Sequence, residues 1–187
     1  MKELKAYLPN RTECKEFTLF LDRDGVINEP IVDDYAKKPD DFVICKGALQ
    51  AIKELKNIFR YVILVTNQQG IHRELMSEKD LENVHLKLHN AMKLDSIPYF
   101  DLALFAPYLR TVNNSWRKPS TGMLLQAKEY LKDINFKQSI MVGDSPSDMV
   151  LADNVGAVKV RIENPQFSFD NQDFKFDSLS SFAKYFT

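Results

Sequence analysis

The chain has little of what would commit it to a disulfide framework, a membrane or a polyanionic partner. Only two cysteines, Cys14 and Cys45, occur in 187 residues, and they form no closely spaced pair. No disulfide framework is therefore expected, and a reducing cytoplasm is the expected compartment. The polar stretch 1–16 has no apolar run of the secretory kind, and no segment approaches the ~20 apolar residues of a membrane span. Charge of one sign is also lacking: 25 basic residues face 26 acidic ones, for a net charge of -1. Bulk electrostatics thus predict neither a nucleic-acid surface nor attraction to an anionic membrane, and recognition must rest on local charge.

What remains is an ordinary soluble composition, 44% apolar and 27% charged, long enough for one well-buried domain and short for two. The expected division is an N-terminal extension over 1–16 and a single domain over 17–187. Within it, Phe17 to Leu21 is an apolar run that ends in Asp22 and Asp24, with Gly25 next. A strand buried on both faces reads this way, and two acids just past its end can address one small volume. Residues 29–42 lack a period and are rich in Asp, Lys and Pro, as in a flap beside a site.

Ala48, Ile52, Leu55 and Phe59 then mark a helix within 47–60, and Tyr61–Val65 a second strand ending in Thr66-Asn67-Gln68-Gln69-Gly70. Ser77 to Asp80 predicts a capping box for a helix bearing Leu81, Val84, Leu88 and Ala91, with Asp95, Ser96 and Pro98 as its stop. A third strand is expected over Tyr99–Ala106. Arg117-Lys118-Pro119 and Gly122 lead into a helix carrying Leu124, Ala127, Leu131 and Ile134. A fourth strand, Ser139–Val142, runs into Gly143-Asp144-Ser145-Pro146-Ser147-Asp148, and a short helix to Gly156 precedes a fifth strand, Ala157–Ile162. The phenylalanine-rich remainder is expected to be core or interface without a ligand, closing in a helix over 179–186 capped by Ser178.

Strands alternating with helices predict an α/β fold, a doubly wound parallel sheet with helices on both faces. For strand order 3-2-1-4-5 the order reverses between the first and fourth strands, and ligands bind at such switch points beyond the C-terminal strand ends. Those two strands end in Asp22, Asp24, Asp144 and Asp148. Converging carboxylates without a matching His or Cys set favour Mg²⁺, and Mg²⁺ beside a lysine suits a phosphoryl group. One carboxylate can attack phosphorus in line while another handles the leaving-group proton. His85 and His89, at i and i+4, are expected on a helix surface, because Leu86-Lys87-Leu88 between them offers no catalytic glutamate. A calcium loop from Asp22 to Asp33 is excluded by Gly25 at its fourth position and Val26 at its fifth.

Asp22-Arg23-Asp24-Gly25, Thr66-Asn67, Lys118 and Gly143-Asp144-Ser145-Pro146-Ser147-Asp148 resemble the four ordered motifs of haloacid-dehalogenase-type phosphatases. Asp-Arg-Asp-Gly-Val-Ile-Asn, Tyr35, Pro39, Thr-Asn-Gln-Gln-Gly-Ile, Arg-Lys-Pro and Gly122-Met123 look like the branch that contains heptose 1,7-bisphosphate and histidinol phosphatases. The resemblance implies a Mg²⁺-dependent phosphomonoesterase without a large cap domain, acting on a small phosphorylated metabolite such as D-glycero-D-manno-heptose 1,7-bisphosphate. Histidinol phosphate or another sugar phosphate is the alternative, and a non-catalytic phospho-accepting module the alternative of another class. Asp22 would be the nucleophile and Asp24 the general acid and then base, with Thr66 and Lys118 on the phosphoryl oxygens. Mg²⁺ would be held by Asp22, the backbone carbonyl of Asp24 and Asp144, with Asp148 behind them; Asn67 and Arg117 would meet substrate. Relatives in this branch commonly carry a Cys/His zinc loop before Arg-Lys-Pro, whereas 106–116 contains neither residue, so no structural zinc is expected. Gln69 replaces a smaller residue, and a monomer is the default because no coiled coil is present.

Overall fold

The first apolar run becomes the central strand β1 (Thr18–Leu21), every residue of it buried. The computed structural model describes residues 7–31 and 34–187. The first six residues of the N-terminal extension, together with Val32 and Asp33 of the flap, lie outside the described residues. After β1 come α1 (Ala48–Ile58), β2 (Tyr61–Asn67), α2 (Glu78–Leu94), β3 (Leu102–Ala106), α3 (Gly122–Tyr130), β4 (Ser139–Gly143), α4 (Pro146–Val155), β5 (Val158–Ile162), β6 (Phe174–Phe176) and α5 (Leu179–Lys184).

All strands pair in parallel in the order β3-β2-β1-β4-β5-β6, which is the predicted order with one strand added at the edge. Alternation along the strands divides the core by face. Leu19, Leu21, Val62, Leu64, Ile140 and Val142 pack with Leu55 of α1, Leu88 of α2 and Phe182 of α5. Phe20, Ile63, Val65 and Met141 face Leu124 of α3 and Leu151 of α4. A sheet covered on both sides can display polar groups only at its strand ends, and this places the site.

Several boundaries follow the sequence. The Ser77 side chain accepts from Asp80 N and the Asp80 carboxylate accepts from Ser77 N, forming the predicted box. Ser178 likewise accepts from Ser181 N. Two expectations need correction. The helix after Gly122 ends at Tyr130, with Leu131 as its C-cap; Ile134 is still buried because a turn, Ile134 N to Leu131 O at 3.1 Å, brings it back to the core. The third strand starts at Leu102 because Asp101 spends its carboxylate on Val62 N at 2.7 Å and Lys56 Nζ at 2.8 Å, closing the sheet edge there.

Of the N-terminal extension, Leu8 and Cys14 are buried in the main core beside Phe17. Of the terminal aromatics, Phe182 and Phe186 are core and Phe174 and Phe176 pack partly buried against it; Phe182 and Phe59 each meet Phe186 edge-on, at 5.2 and 5.4 Å between centroids. Among the described residues no helix is long and apolar enough to cross a membrane.

Candidate active site

β1 and β4 lie side by side where the chain order reverses, and Asp22 N donates to Val142 O at 2.9 Å, so the two acidic strand ends are locked together. Ligand oxygens of Asp22, Asp144 and Asp148 come within 4.8 Å of one another, and all three residues are buried. Two glycines permit this. Gly25 stands at φ +81°, and a Cβ there would overlap the Asp144 carboxylate; a Cβ on Gly143 would overlap Asp148. Gly25 is thus required by the acid of another motif, and Gly143 by the second acid of its own.

Lys118 crosses to this cluster from the loop before α3. Its Nζ lies 2.7 Å from Asp22 Oδ1, 2.7 Å from Asp148 Oδ1 and 3.0 Å from Val65 O, which occupies all three of its protons. Burial opposes its charge, but Asp148 and Asp22 outweigh that and raise its pKa, keeping it an ammonium. Asp148 Oδ2 accepts from Ser145 N and Ser145 Oγ at the start of α4. One oxygen of Asp148 thus caps a helix while the other orients Lys118.

One cation among three buried acids leaves the cluster short of positive charge. Burial, reinforced by Asp148 and Asp24 against Lys118, pushes the Asp22 carboxyl up to about 7. Burial followed by the charges of Asp22 and Asp148 pushes Asp144 to about 8. Such a donor set of oxygens alone suits a hard divalent cation. Because both folded values lie above the ordinary 3.8, the folded protein binds more protons than the unfolded chain between about pH 4 and 8. Stability of the metal-free protein should therefore be full below pH 4 and fall as pH rises through 8. The melting temperature should fall with it, and saturating Mg²⁺ should flatten the dependence. Melting curves in chelator and in Mg²⁺ across this range check the sign.

Asp24 stands apart from that cluster. Arg23, fully buried, donates to it from Nε at 3.3 Å and from Nη2 at 2.9 and 3.0 Å; Asn28 Nδ2 adds a bond at 3.0 Å and Gln68 Nε2 one at 2.8 Å. Burial alone would raise its pKa, but Arg23 and these donors reverse the sign and hold it below the ordinary carboxylate value. Asn28 Oδ1 and Gln68 Oε1 are buried without a partner among the described residues, so both amides give up an acceptor contact to serve this anion. The other face of Arg23 meets His85 Nε2 at 3.3 Å, and burial, followed by Arg23, lowers that imidazole to about 4. This corrects the surface expectation for His85, whose neutral ring accepts from a buried guanidinium. His89 is exposed and stacks on Tyr99 at 4.6 Å.

A pocket of about 700 Å³ opens over these groups, lined among others by Asp22, Asp24, Asn67, Arg117, Lys118 and Asp144. Thr66 and Asp148 are fully buried beneath it. The Thr66 Oγ1 accepts from Gln68 Nε2 at 2.9 Å. Asn67 has a task that its motif did not reveal: its Oδ1 accepts from Lys118 N at 3.0 Å and its Nδ2 donates to Lys118 O at 3.1 Å, fixing that backbone beside the cis Lys118–Pro119 bond. Arg117 reaches Tyr108 O at 3.4 Å, and burial, then neighbouring Arg110 and Arg73, lowers its pKa. Gln69 joins the walls, with Nε2 donating to Tyr35 Oη at 2.5 Å and Oε1 accepting from Arg110 N at 3.3 Å. Asn114 holds the loop before Arg117, its Oδ1 accepting from Trp116 N and Arg117 N.

To the residues given roles from the sequence the structure adds Arg23, Asn28 and Gln68, which stand within the motifs, and Asn164, which stands outside them and donates to Asp144 Oδ2 at 2.6 Å. Arg23 carried one signal, a basic residue between two acids just past the strand end. For Asn164 the only signal was Asn-Pro, which marks a turn.

An all-parallel sheet that reverses order at clustered carboxylates, with a lysine reaching across to them, defines a phosphatase class, the haloacid-dehalogenase type. Residues 18–184 match the family described as polynucleotide kinase 3 phosphatase. A Mycobacterium bovis D-glycero-alpha-D-manno-heptose-1,7-bisphosphate 7-phosphatase is 37% identical over 172 residues, covering 90% of each chain. A Helicobacter pylori D-glycero-beta-D-manno-heptose-1,7-bisphosphate 7-phosphatase is 32% identical over 164 residues, 84% of this chain and 92% of its own. The D,D-heptose 1,7-bisphosphate phosphatase of B. bronchiseptica, solved with magnesium and phosphate, superposes with a TM-score of 0.81 at 28% identity, over 90% of this chain and 96% of that one. The chain belongs to this family of haloacid-dehalogenase-type phosphatases.

Proposed function

We propose that the protein is a Mg²⁺-dependent phosphomonoesterase that removes the 7-phosphate of D-glycero-D-manno-heptose 1,7-bisphosphate. The observation that carries this reading is that one pocket is lined by Asp22, whose carboxylate binds Lys118, and by Arg110 and Arg117. A bisphosphate needs one phosphoryl group at the nucleophile and a basic contact for the group that stays. Relatives named for the alpha and for the beta anomer both resemble the chain, so both anomers are candidate substrates. The net charge of -1 favours a small metabolite over a polynucleotide.

Asp22 Oδ1 is bound by Lys118 and Arg23 N, which aims the carboxylate for in-line attack on phosphorus. The bond formed is an Asp22 acyl phosphate, and the bond broken is that between phosphorus and the sugar oxygen. Asp24 gives that oxygen a proton and then takes one from the water that cleaves the acyl phosphate. Lys118 offsets the negative charge spread over the phosphoryl oxygens. Asp22, the backbone carbonyl of Asp24 and Asp144 would hold Mg²⁺, with Asp148 outside them; the cation, when bound, neutralises the phosphoryl oxygens. The free cysteines fit a cytoplasmic enzyme, and we take the working form to be a monomer.

Phosphate release from both heptose bisphosphate anomers, histidinol phosphate and an aryl phosphate, with and without chelator, tests the reading. Heptose bisphosphate should be turned over with the highest kcat/KM and only with Mg²⁺; preference for histidinol phosphate would overturn the substrate. Arg110→Ala should raise the KM for the bisphosphate by ~10–100-fold, the equivalent of one charge-assisted hydrogen bond, and that for an aryl phosphate far less.

A further inference from the structure

Asn164 lies just past β5, outside all four motifs, and is 3% exposed. Its Oδ1 accepts from Gln166 N at 2.9 Å, which fixes how the amide faces and turns Nδ2 towards Asp144 Oδ2, 2.6 Å away. Among the described residues no other side chain donates to Asp144. The Gly25 backbone also closes on this oxygen, since a Cβ on Gly25 would overlap Asp144 Oδ2. With Oδ2 bound to Asn164 and packed against Gly25, the second oxygen is the one Asp144 has left for a ligand.

The loop that carries Asn164 is held from beneath. Arg161 is buried, donates to Phe167 O at 2.8 Å and to Phe169 O, and stacks over the Phe169 ring at 4.0 Å. Phe167 N donates back to Asn164 O at 3.1 Å, and Asn164, Gln166 and Phe167 all line the pocket. Phe167, expected in the core or an interface, is instead partly exposed on the pocket wall.

We propose that Asn164 is a positioning residue for Asp144: its amide sets the carboxylate for Mg²⁺ and ties the metal site to the pocket wall formed by the loop after β5. The proposal rests on the reading of the acid cluster as a Mg²⁺ site. Partners that hydrogen-bond a metal-binding carboxylate change metal affinity by ~10–100-fold when removed. Asn164→Ser is the informative variant, because a serine hydroxyl can still accept from Gln166 N but is too short to reach Asp144. Mg²⁺ affinity should be measured by calorimetry and by the Mg²⁺-dependent rise in melting temperature for wild type, Asn164→Ser, Asn164→Ala and Phe167→Ala.

Both Asn164 variants should bind Mg²⁺ at least ~10-fold more weakly, and Phe167→Ala should bind it as wild type does. Aryl phosphate turnover by Asn164→Ser should return to the wild-type kcat at high Mg²⁺, since no group that touches phosphorus has changed. Wild-type Mg²⁺ affinity in Asn164→Ser, or lost activity that no concentration of Mg²⁺ restores, would overturn the proposal. So would failure of Asn164→Ser to fold, which would make the residue a support of the loop alone. Absence of a Mg²⁺ effect in the wild-type protein itself would instead remove the metal site, and the proposal with it.

Discussion

Asp22→Asn should lower phosphatase turnover by about 10,000-fold or more, because an amide cannot form the acyl phosphate and no other group in the cluster can replace it. Asp144 has Oδ2 bound to Asn164 and its other oxygen is the one expected to hold Mg²⁺, while Asp148 is divided between Lys118 and the Ser145 cap, so neither offers a carboxylate oxygen for attack. The same substitution should raise the melting temperature of the metal-free protein near neutral pH. It removes the need to protonate or repel at a buried carboxyl whose pKa burial has raised to about 7. Loss of activity with a gain in stability is a combination that a misfolded variant cannot produce. Phosphate release, intact-protein mass after brief exposure to substrate, and melting curves in chelator form the test. Activity within a factor of ten of wild type, or a phosphorylated Asp22→Asn protein, would reject Asp22 as nucleophile.

The sheet and its order were legible because each strand is a short apolar run that stops at polar residues, and each intervening helix has its own period or cap. Ser77 and Ser178 were readable for the same reason: a cap is local chemistry within four residues. β6 escaped because Phe-Lys-Phe is too short to show a period, and it exists only as an added edge to β5. The end of α3 escaped because Leu131 and Ile134 keep the helical spacing while the backbone leaves the helix. Positions of the acids were legible from strand ends, yet their partners were not. Arg23 meets His85, Gln68 meets Asp24 and Asn164 meets Asp144 across gaps of 20 to 62 residues, where no local pattern records the contact. Asn67 shows the converse: the motif marks the residue, but only the fold shows its amide closing on the Lys118 backbone.

Asp24→Asn should lower turnover of alkyl phosphates by ~1,000-fold, within the range of a lost general acid and base. In this structure Asp24 receives bonds from Arg23, Asn28 and Gln68 and is held as the anion, the form that can take a proton from water. Service as the acid requires it to gain a proton and release some of these donors, which a departing sugar oxygen can draw out and an amide cannot reproduce. An aryl phosphate, whose leaving group needs no proton, should therefore lose less in the first half-reaction than a sugar phosphate does. The Asp22 acyl phosphate should then persist, since nothing activates the water that cleaves it, and its accumulation can be read by mass. Mg²⁺ should still bind, because the expected ligand from this residue is its backbone carbonyl. Leaving the fully buried Arg23 beside a neutral amide should cost on the order of 2 kcal/mol, so assays belong well below the lowered melting temperature. A non-catalytic phospho-accepting module would have no use for a group at Asp24 that hastens hydrolysis. Wild-type turnover by Asp24→Asn would overturn the acid and base role, and an equal loss with aryl and alkyl phosphates in the rate of acyl phosphate formation would show that Asp24 acts on something other than the leaving group.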